Sequence, residues 1–213
     1  MHDSINKLVF IKNKIQQKNS KAKIIAVSKT FSIEDIIPLI EYGHKDFGEN
    51  KVQEALDKWS QIKLKNNTIK LHLIGQLQTN KVKFALSIFD CIHSLDSEKL
   101  ATKISTEQVK QNKKPKIFIQ VNIGNEDQKS GIDKDNLLNF YKFCRNLNLN
   151  IVGTMCIPPN DNNTEQYFSE MSEINKKLNF NELSMGMSGD YLEAIKYNAT
   201  YVRVGSKIFG SRT

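Results

Sequence analysis

The sequence predicts an α/β protein with a (β/α)8 (TIM) barrel, in which helices surround eight parallel strands, and with one extra helix at the N-terminus. Short apolar, β-rich segments alternate with helical patterns along the 213 residues, and such alternation produces parallel sheets. No G-x-G-x-x-G motif follows the first strand, which disfavours the alternative, an open doubly wound sheet. Because no linker-like segment interrupts the pattern, residues 1–213 are predicted to form a single domain.

The predicted strands are short apolar segments of the kind found in buried parallel sheets. The strand at 117–123 is the clearest and the strand at 182–187 the weakest. The other strands are predicted at 23–29, 45–50, 70–76, 91–95, 151–157 and 201–205. Helices are predicted at 4–17, 32–42, 49–62, 80–89, 97–111, 134–146, 163–178 and 191–197. Ser32 as N-cap and Gly43 as a C-terminal stop support the helix at 32–42.

The composition is that of an ordinary globular protein, with 39% hydrophobic and 25% charged residues. No segment approaches the ~20 apolar residues of a membrane helix, and the first residues lack a secretory signal, so a cytoplasmic location is expected. The net charge of +8 is spread along the chain, which does not predict nucleic-acid binding. The three cysteines form no C-x-x-C pair and the four histidines lack metal-ligand spacing, so reduced thiols and no metal site are expected.

In a parallel barrel the functional groups lie at the carboxyl ends of the strands. Lys29 ends an apolar segment, where low-dielectric surroundings favour the neutral amine that attacks aldehydes. The alternative is a lysine that only extends from the strand end into water. The other predicted strand ends are Asn50, 75–76, Asn122, 157–159, Met187 with 188–189, and 205–206.

Two turns of small residues follow the seventh and eighth strands, where barrels often bind phosphate. The first turn lies within 184–190 and contains Ser188, and the second consists of Gly205 and Ser206. Backbone N–H groups in such turns can approach an anion at a helix N-terminus. The alternative for the first turn is that Ser188 or Asp190 only caps a helix. The pair of turns indicates a phosphate site.

Arg203 is predicted to point into the barrel, because strand alternation places Tyr201 and Arg203 on one face and the valines between them on the other. A structural ion pair with an inward acid is the alternative. Barrel closure sets the eighth strand beside the first, so Arg203 and Lys29 become neighbours. An amine, a cation and a phosphate site within the length of one small molecule fit pyridoxal 5′-phosphate (PLP), held as a Schiff base on Lys29.

At these residues the chain resembles the pyridoxal phosphate homeostasis proteins, over nearly its whole length. The similar segments are 26–30 (AVSKT), 47–50 (FGEN) with 52–54 (VQE), 72–81 (HLIGQLQTNK), 129–131 (KSG), 183–188 (LSMGMS) with Asp190, and 202–210 (VRVGSKIFG). The resemblance implies a barrel like the N-terminal domain of alanine racemase (fold-type III, barrel domain only) and a cytoplasmic PLP carrier without enzymatic turnover. The cofactor-binding residues are therefore predicted to be Lys29, Asn50, Met187, Ser188, Arg203, Gly205 and Ser206.

The resemblance implies that Ser188, Gly205 and Ser206 hold the phosphate, that Arg203 meets the ring nitrogen and that Asn50 lines the pocket. The partners expected are PLP itself and apo forms of PLP-dependent enzymes that receive it.

The alternative function is a PLP-dependent amino-acid racemase or a related enzyme. Racemisation needs a second base on the opposite face of the cofactor, and fold-type III racemases take it from an additional β domain and a partner subunit. Residues 211–213 follow the eighth unit directly, so the additional β domain is not expected. Without that domain, the chain is expected to be a monomer. His72 and Tyr201 are weaker candidates for a substitute base.

Overall fold

Eight parallel strands close into a barrel in chain order in the computed structural model, which describes residues 2–18, 20–126 and 130–210. The last strand pairs with the first, with Arg203 opposite Ile25. This pairing confirms the (β/α)8 prediction and shows that the open-sheet alternative is wrong. The strands are β1 (Lys23–Val27), β2 (Asp46–Glu49), β3 (Lys70–Leu73), β4 (Cys91–Leu95), β5 (Lys116–Gln120), β6 (Ile151–Met155), β7 (Glu182–Met187) and β8 (Tyr201–Val204).

The helices lie around the sheet, and α1 at the N-terminus is the extra helix that the sequence predicts. They are α1 (Asp3–Gln17), α2 (Ile33–Glu41), α3 (Val52–Lys65), α4 (Val82–Ile88), α5 (Glu98–Gln111), α6 (Leu137–Asn146), α7 (Thr164–Lys177), α8 (Tyr191–Ala194) and α9 (Ser206–Phe209). Short 3-10 turns at Thr79–Lys81, Lys134–Asn136 and Ile195–Tyr197 adjoin three of them. The helix α9 was not predicted, because four residues are too few to show a helical period.

Several strands end earlier than the sequence predicts. After β1 the backbone N–H of Ser28 still bonds the Gly48 carbonyl, but Thr30 has a φ of 69° and turns the chain away from the sheet. Lys29 therefore lies in a turn beyond the strand. The helix α3 starts at Val52, later than predicted, because Glu49 still pairs with Leu73 in the sheet.

The capping pattern at α2 follows the prediction. The backbone N–H and hydroxyl of Ser32 donate to the Asp35 carboxylate at 3.1 and 3.0 Å, which satisfies polar groups at the helix start. Gly43 follows the helix with a φ of +88°, a conformation that glycine adopts without steric cost.

The alternation of side chains in β8 separates two apolar regions. Tyr201 packs inside the barrel with Ile25, Phe118 and Met155, whereas the two valines of β8 face the core between sheet and helices. The inward direction predicted for Arg203 is thereby confirmed, and its side chain is 4% exposed. The thiols of Cys91, Cys144 and Cys156 are buried and free, as expected.

In the described ranges no helix is both long and apolar enough to cross a bilayer. Two parts of the sequence analysed above lie outside the described residues. They are Lys129, in the similar segment 129–131, and the residues 211–213. That residues 1–213 form a single domain stays a prediction.

Candidate functional site

A cavity of about 500 Å³ opens at the carboxyl ends of the strands, and we call it the rim cavity. All seven residues predicted from the sequence line it: Lys29, Asn50, Met187, Ser188, Arg203, Gly205 and Ser206. Six residues not on that list complete its wall, namely Val27, Phe31, Ile74, Ile157, Gly189 and Gly210. Its volume is in the range of small-molecule sites in proteins.

Ile157 and Gly189 lie at strand ends that the sequence predicts, although neither was assigned to cofactor binding, whereas Phe31 and Gly210 have no pattern of their own in the sequence. Phe31 packs on Phe209 of α9 at a centroid distance of 4.9 Å, and Gly210 ends that helix, so both depend on an element that was not predicted. Asn122, a predicted strand end, is not part of the cavity wall, because its side chain holds the backbone of Glu126 in a neighbouring loop.

A cluster of polar side chains fixes the turn that carries Lys29. The hydroxyl of Ser28 donates to Glu49 at 2.7 Å, and the Lys58 ammonium donates to the Ser28 carbonyl at 2.9 Å. On the other side of Lys29, the Thr30 N–H donates to the Glu54 carboxylate at 2.6 Å. Both residues that flank Lys29 are thus tied to the side chains of β2 and α3, which limits the positions of its amine.

The charges of this cluster are partly compensated. The Glu49 side chain is fully buried and accepts from Lys58 and from the Trp59 indole, each at 3.0 Å. Burial raises the pKa of Glu49 although these donors oppose the shift. Burial has the same tendency at Glu54, but the Thr30 N–H and Lys58 lower its pKa below the usual range. Glu54 is therefore a charged acceptor for the Lys29 turn at neutral pH.

Arg203 lies at the bottom of the rim cavity and bonds neutral groups. Its guanidinium donates to the Ser184 hydroxyl and to the Cys156 carbonyl, each at 2.8 Å. The ion pair with an inward acid, which was the alternative reading, is not the contact seen in the described chain. Burial lowers the pKa of Arg203, yet a guanidinium stays charged in proteins. It presents further N–H donors beyond the two used here.

The two small-residue turns meet at one side of the cavity. The Gly205 N–H donates to the Ser188 hydroxyl at 3.2 Å, so Ser188 joins the turns and is not merely a helix cap. The carboxylate of Asp190 accepts from the Met187 N–H, which closes the first turn. The helix α9 starts at Ser206, and its first N–H groups have no acceptor within the helix.

The room beside these turns fits a bound group. A Cβ atom added at Gly189 would have no atom within 4 Å, whereas one at Gly205 would lie 3.2 Å from the Val27 carbonyl oxygen. The side of the cavity at Gly189 is therefore open, while the turn after β8 lies tightly against β1. Hydroxyls, backbone N–H groups and a guanidinium at one cavity are a donor set suited to a phosphorylated, hydrogen-bond-accepting molecule.

The residues considered as substitute bases do not line the rim cavity. His72 and Tyr201 instead line a second cavity of about 550 Å³ at the amino ends of the strands, which we call the base cavity. Its wall also contains Lys23, Asp46, Lys63, Lys70, Asp90, Cys91, Lys113, Lys114 and Lys116. Within the described ranges no group of three or more His, Cys, Asp or Glu could hold a metal ion.

Comparison with known proteins places this fold and pocket in a class. The alanine racemase N-terminal domain family matches residues 8–213. Histidine racemase from Leuconostoc mesenteroides subsp. sake superposes with a TM-score of 0.75 at 18% identity, covering 98% of this chain and 57% of that chain. At that identity the likeness is one of fold alone. Fold and pocket together define a barrel of the alanine racemase N-terminal type.

Closer relatives narrow the class. The pyridoxal phosphate homeostasis protein of Pasteurella multocida is 38% identical over 204 residues, which cover 91% of this chain and 88% of that protein. PipY of Synechococcus elongatus, solved with PLP bound, superposes with a TM-score of 0.88 at 30% identity and covers 97% of this chain and 100% of its own. The chain belongs to the family of pyridoxal phosphate homeostasis proteins, and the resemblance seen in the sequence is confirmed.

Proposed function

We propose that this chain binds PLP in the rim cavity, attached covalently through Lys29, and serves intracellular PLP homeostasis. The observation that carries the proposal is that all seven residues predicted from the sequence line one cavity, although they come from four separate segments of the chain. The PLP-bound structure of PipY, at 30% identity, supports the choice of cofactor. Bound PLP supplies an aldehyde that combines with amines and a ring that withdraws electrons.

Each residue has a role in this proposal. Ser188, Gly205 and Ser206 hold the phosphate, because hydroxyls and the N–H groups at the start of α9 are anion donors. Arg203 donates to the ring nitrogen, and Lys29 approaches the aldehyde from the turn after β1. Asn50 and Met187 form the wall. Met187 and Ile157 are each 38% exposed, which supports access for a recipient apo-enzyme.

The proposed role is non-catalytic. An arginine at the ring nitrogen donates a hydrogen bond but keeps its proton, so the ring remains a weak electron sink. The curated relatives carry the name of a homeostasis protein and not of a racemase. We therefore expect amino-acid racemisation and transamination no faster than with free PLP. Rates well above that level with common amino acids would contradict this part of the proposal.

The finer statements on location and assembly are also proposals. Three buried free thiols support a reducing compartment, in agreement with the cytoplasm. We propose a monomer that hands PLP to PLP-dependent enzymes and has neither a nucleic-acid nor a membrane partner.

The experiment that tests the proposed site is reductive trapping. The purified chain is incubated with PLP, reduced with borohydride, digested and mapped by mass spectrometry. We expect one dominant phosphopyridoxyl label, on Lys29, because among the described residues Lys29 is the lysine that lines the rim cavity. A label distributed over several exposed lysines, with none favoured, would contradict the assignment.

A second prediction concerns the cluster behind Lys29. Glu54→Ala removes the charged acceptor of the Thr30 N–H, and hydrogen bonds to charged groups contribute about 1.5–3 kcal/mol. We expect PLP to bind roughly tenfold more weakly, measured by absorbance titration, while Glu54→Gln, which keeps an acceptor, loses less. Asp57→Ala on the same helix is the control, since Asp57 contacts the exposed Gln53 side chain. Equal affinities of Glu54→Ala and Asp57→Ala would refute the prediction.

A further inference from the structure

A chain of polar side chains crosses the interior of the barrel and ends at Arg203. Starting in β2, Asp46 contacts Nε2 of His72 at 3.1 Å, and Nδ1 of His72 contacts Nε2 of His93 at 3.0 Å. Nδ1 of His93 then contacts the Ser184 hydroxyl at 2.9 Å, which accepts from Arg203 at 2.8 Å. We call these five residues the relay. It links the base cavity, at Asp46 and His72, to the rim cavity at Arg203.

The relay is placed in an apolar environment. His72, His93 and Ser184 are fully buried, and the His93 ring stacks on Phe118 with centroids 4.3 Å apart. Buried polar groups cost free energy unless they are hydrogen-bonded, and apolar side chains of similar volume would fill a barrel core at lower cost. Packing therefore does not explain this row of polar groups, and its continuity suggests a role at the residue where it ends.

The chemistry of the two ends determines the direction of the hydrogen bonds. A guanidinium can only donate and a carboxylate can only accept, so Arg203 donates to Ser184 and His72 donates to Asp46. With both histidines neutral, Nδ1 of His72 must accept from His93. Nδ1 of His93 must then accept from the Ser184 hydroxyl. Every bond runs from Arg203 towards Asp46, and each group that donates becomes a stronger acceptor for the one before it.

One additional proton on His72 reverses the middle of the relay. Both nitrogens of His72 then donate, so Nε2 of His93 accepts and its Nδ1 donates to Ser184. The Ser184 oxygen now accepts from His93 and Arg203 together and no longer donates along the chain. Its bond to the guanidinium is weaker in this state, because the cooperative sequence of donors is broken.

We propose that His72 and His93 are positioning residues for Arg203, and that the relay transmits the charge state of the base cavity to the rim cavity. This inference rests on the proposed function, in which Arg203 meets the ring nitrogen of PLP. Neutral His72 holds the guanidinium firmly against Ser184, and charged His72 loosens it.

Charges around the relay make His72 its titrating member. Burial opposes the imidazolium, but Cys91 and Asp46 outweigh it and raise the pKa of His72 to about 9. Burial, with the positive charges of His72 and Arg203, holds the pKa of His93 well below its usual range. Other titratable or charged groups around these members are Lys23 and His44 near Asp46, Tyr201 beside both rings, and Cys156 and Asp190 near Arg203.

The first test uses the chain without cofactor. In ¹⁵N-histidine NMR we expect His72 to titrate in the alkaline range and His93 to change tautomer, without charging, at the same midpoint. Asp46→Asn removes one of the two groups that favour the imidazolium, and the shared midpoint is then expected at least about one pH unit lower. A His93 tautomer that does not respond to the charge of His72, or separate midpoints for the two rings, would overturn the relay.

The second test follows PLP affinity with pH. His72→Gln mimics the neutral ring, since its amide can donate to Asp46 and accept from His93. Affinity is compared in the Lys29→Ala background, because Schiff-base formation on Lys29 needs the neutral amine and has a pH dependence of its own. There we expect PLP to bind about threefold more tightly above the His72 midpoint than below it, and the added His72→Gln substitution to remove this step while PLP still binds. Ser184→Ala deletes one oxygen, and we expect it to weaken binding about tenfold and to abolish the step.

The control is His44→Gln. His44 is buried, its ring packs edge-on against Phe47 and bonds the backbone carbonyl of Asp46, and burial lowers its pKa to about 4. If His72 had a purely structural role, His72→Gln and His44→Gln would both lose thermal stability, and both would keep the alkaline step in PLP affinity. An alkaline step that persists in His72→Gln refutes the relay and leaves the proposed function intact. Failure of wild-type protein to take up PLP refutes the proposed function, while the NMR titration still decides the relay.

Discussion

Lys29→Ala is expected to abolish covalent retention of PLP. The variant should show neither the visible absorption band of the loaded protein nor a borohydride-stable label, because the amine is removed while the phosphate donors remain. Noncovalent binding through Ser188, Ser206 and Arg203 should persist at an affinity at least about tenfold lower, measurable by quenching of the Trp59 fluorescence or by equilibrium dialysis. The fold should be unaffected, since the turn is held by the residues on either side of Lys29.

The matched control for this variant is Lys51→Ala. Lys51 is exposed, directly follows Asn50 of the rim cavity and is not part of the cavity wall. It should retain the band and the label at wild-type levels. If Lys29→Ala kept an unchanged band with the label on another lysine, the assignment of the covalent site would be wrong even though PLP binds.

Gly153→Ala is expected to have the largest effect on stability. Gly153 in β6 pairs with Glu182 in β7, and an added Cβ atom would lie only 1.7 Å from the carbonyl oxygen of Glu182. Relief requires the two strands to move apart, although the Glu182 side chain is also tied to Lys116 in β5. We expect a loss of about 3 kcal/mol or more in the free energy of unfolding, and a fall in Tm of roughly 10 °C.

The comparison variant is Gly189→Ala. There the added methyl group would touch no atom within 4 Å, so the free energy of unfolding should change by less than about 0.5 kcal/mol. Chemical denaturation of both variants measures the difference directly. Equal stability of Gly153→Ala and wild type would mean that β6 and β7 lie farther apart than this pairing requires, and the inner wall next to Arg203 would need a different arrangement.

Much of the fold could be predicted because its signals are local. The apolar segment at 117–123 and the inward direction of Arg203 both follow from patterns within a few residues. The exact strand ends could not be predicted, because an apolar segment can continue beyond the last residue of its strand, as at Ile74 after β3. The helix α9 could not be predicted either, because its four residues show no helical period. The contribution of Gly210, which ends this helix, to the cavity wall was therefore missed.

The candidate site divides in the same way. Lys29 and Ser206 could be selected because carboxyl strand ends in a barrel share one face. The contacts that position these residues could not be predicted. Glu54 bonds Thr30, 24 positions away in the sequence, and His93 bonds Ser184, 91 positions away. No sequence pattern connects such residues, since their approach depends on the tilt and stagger of the closed barrel.

By itself, then, the amino-acid sequence determined the number and order of the βα units, the face on which each strand side chain lies, and so the set of residues at the rim. These are properties of neighbouring residues and of the pleat. The tertiary structure alone decided which of those side chains touch, because closure of the ring sets the register between distant strands. That closure placed Lys29 and Arg203 at one cavity, and it aligned two histidines, one serine and one aspartate behind the arginine.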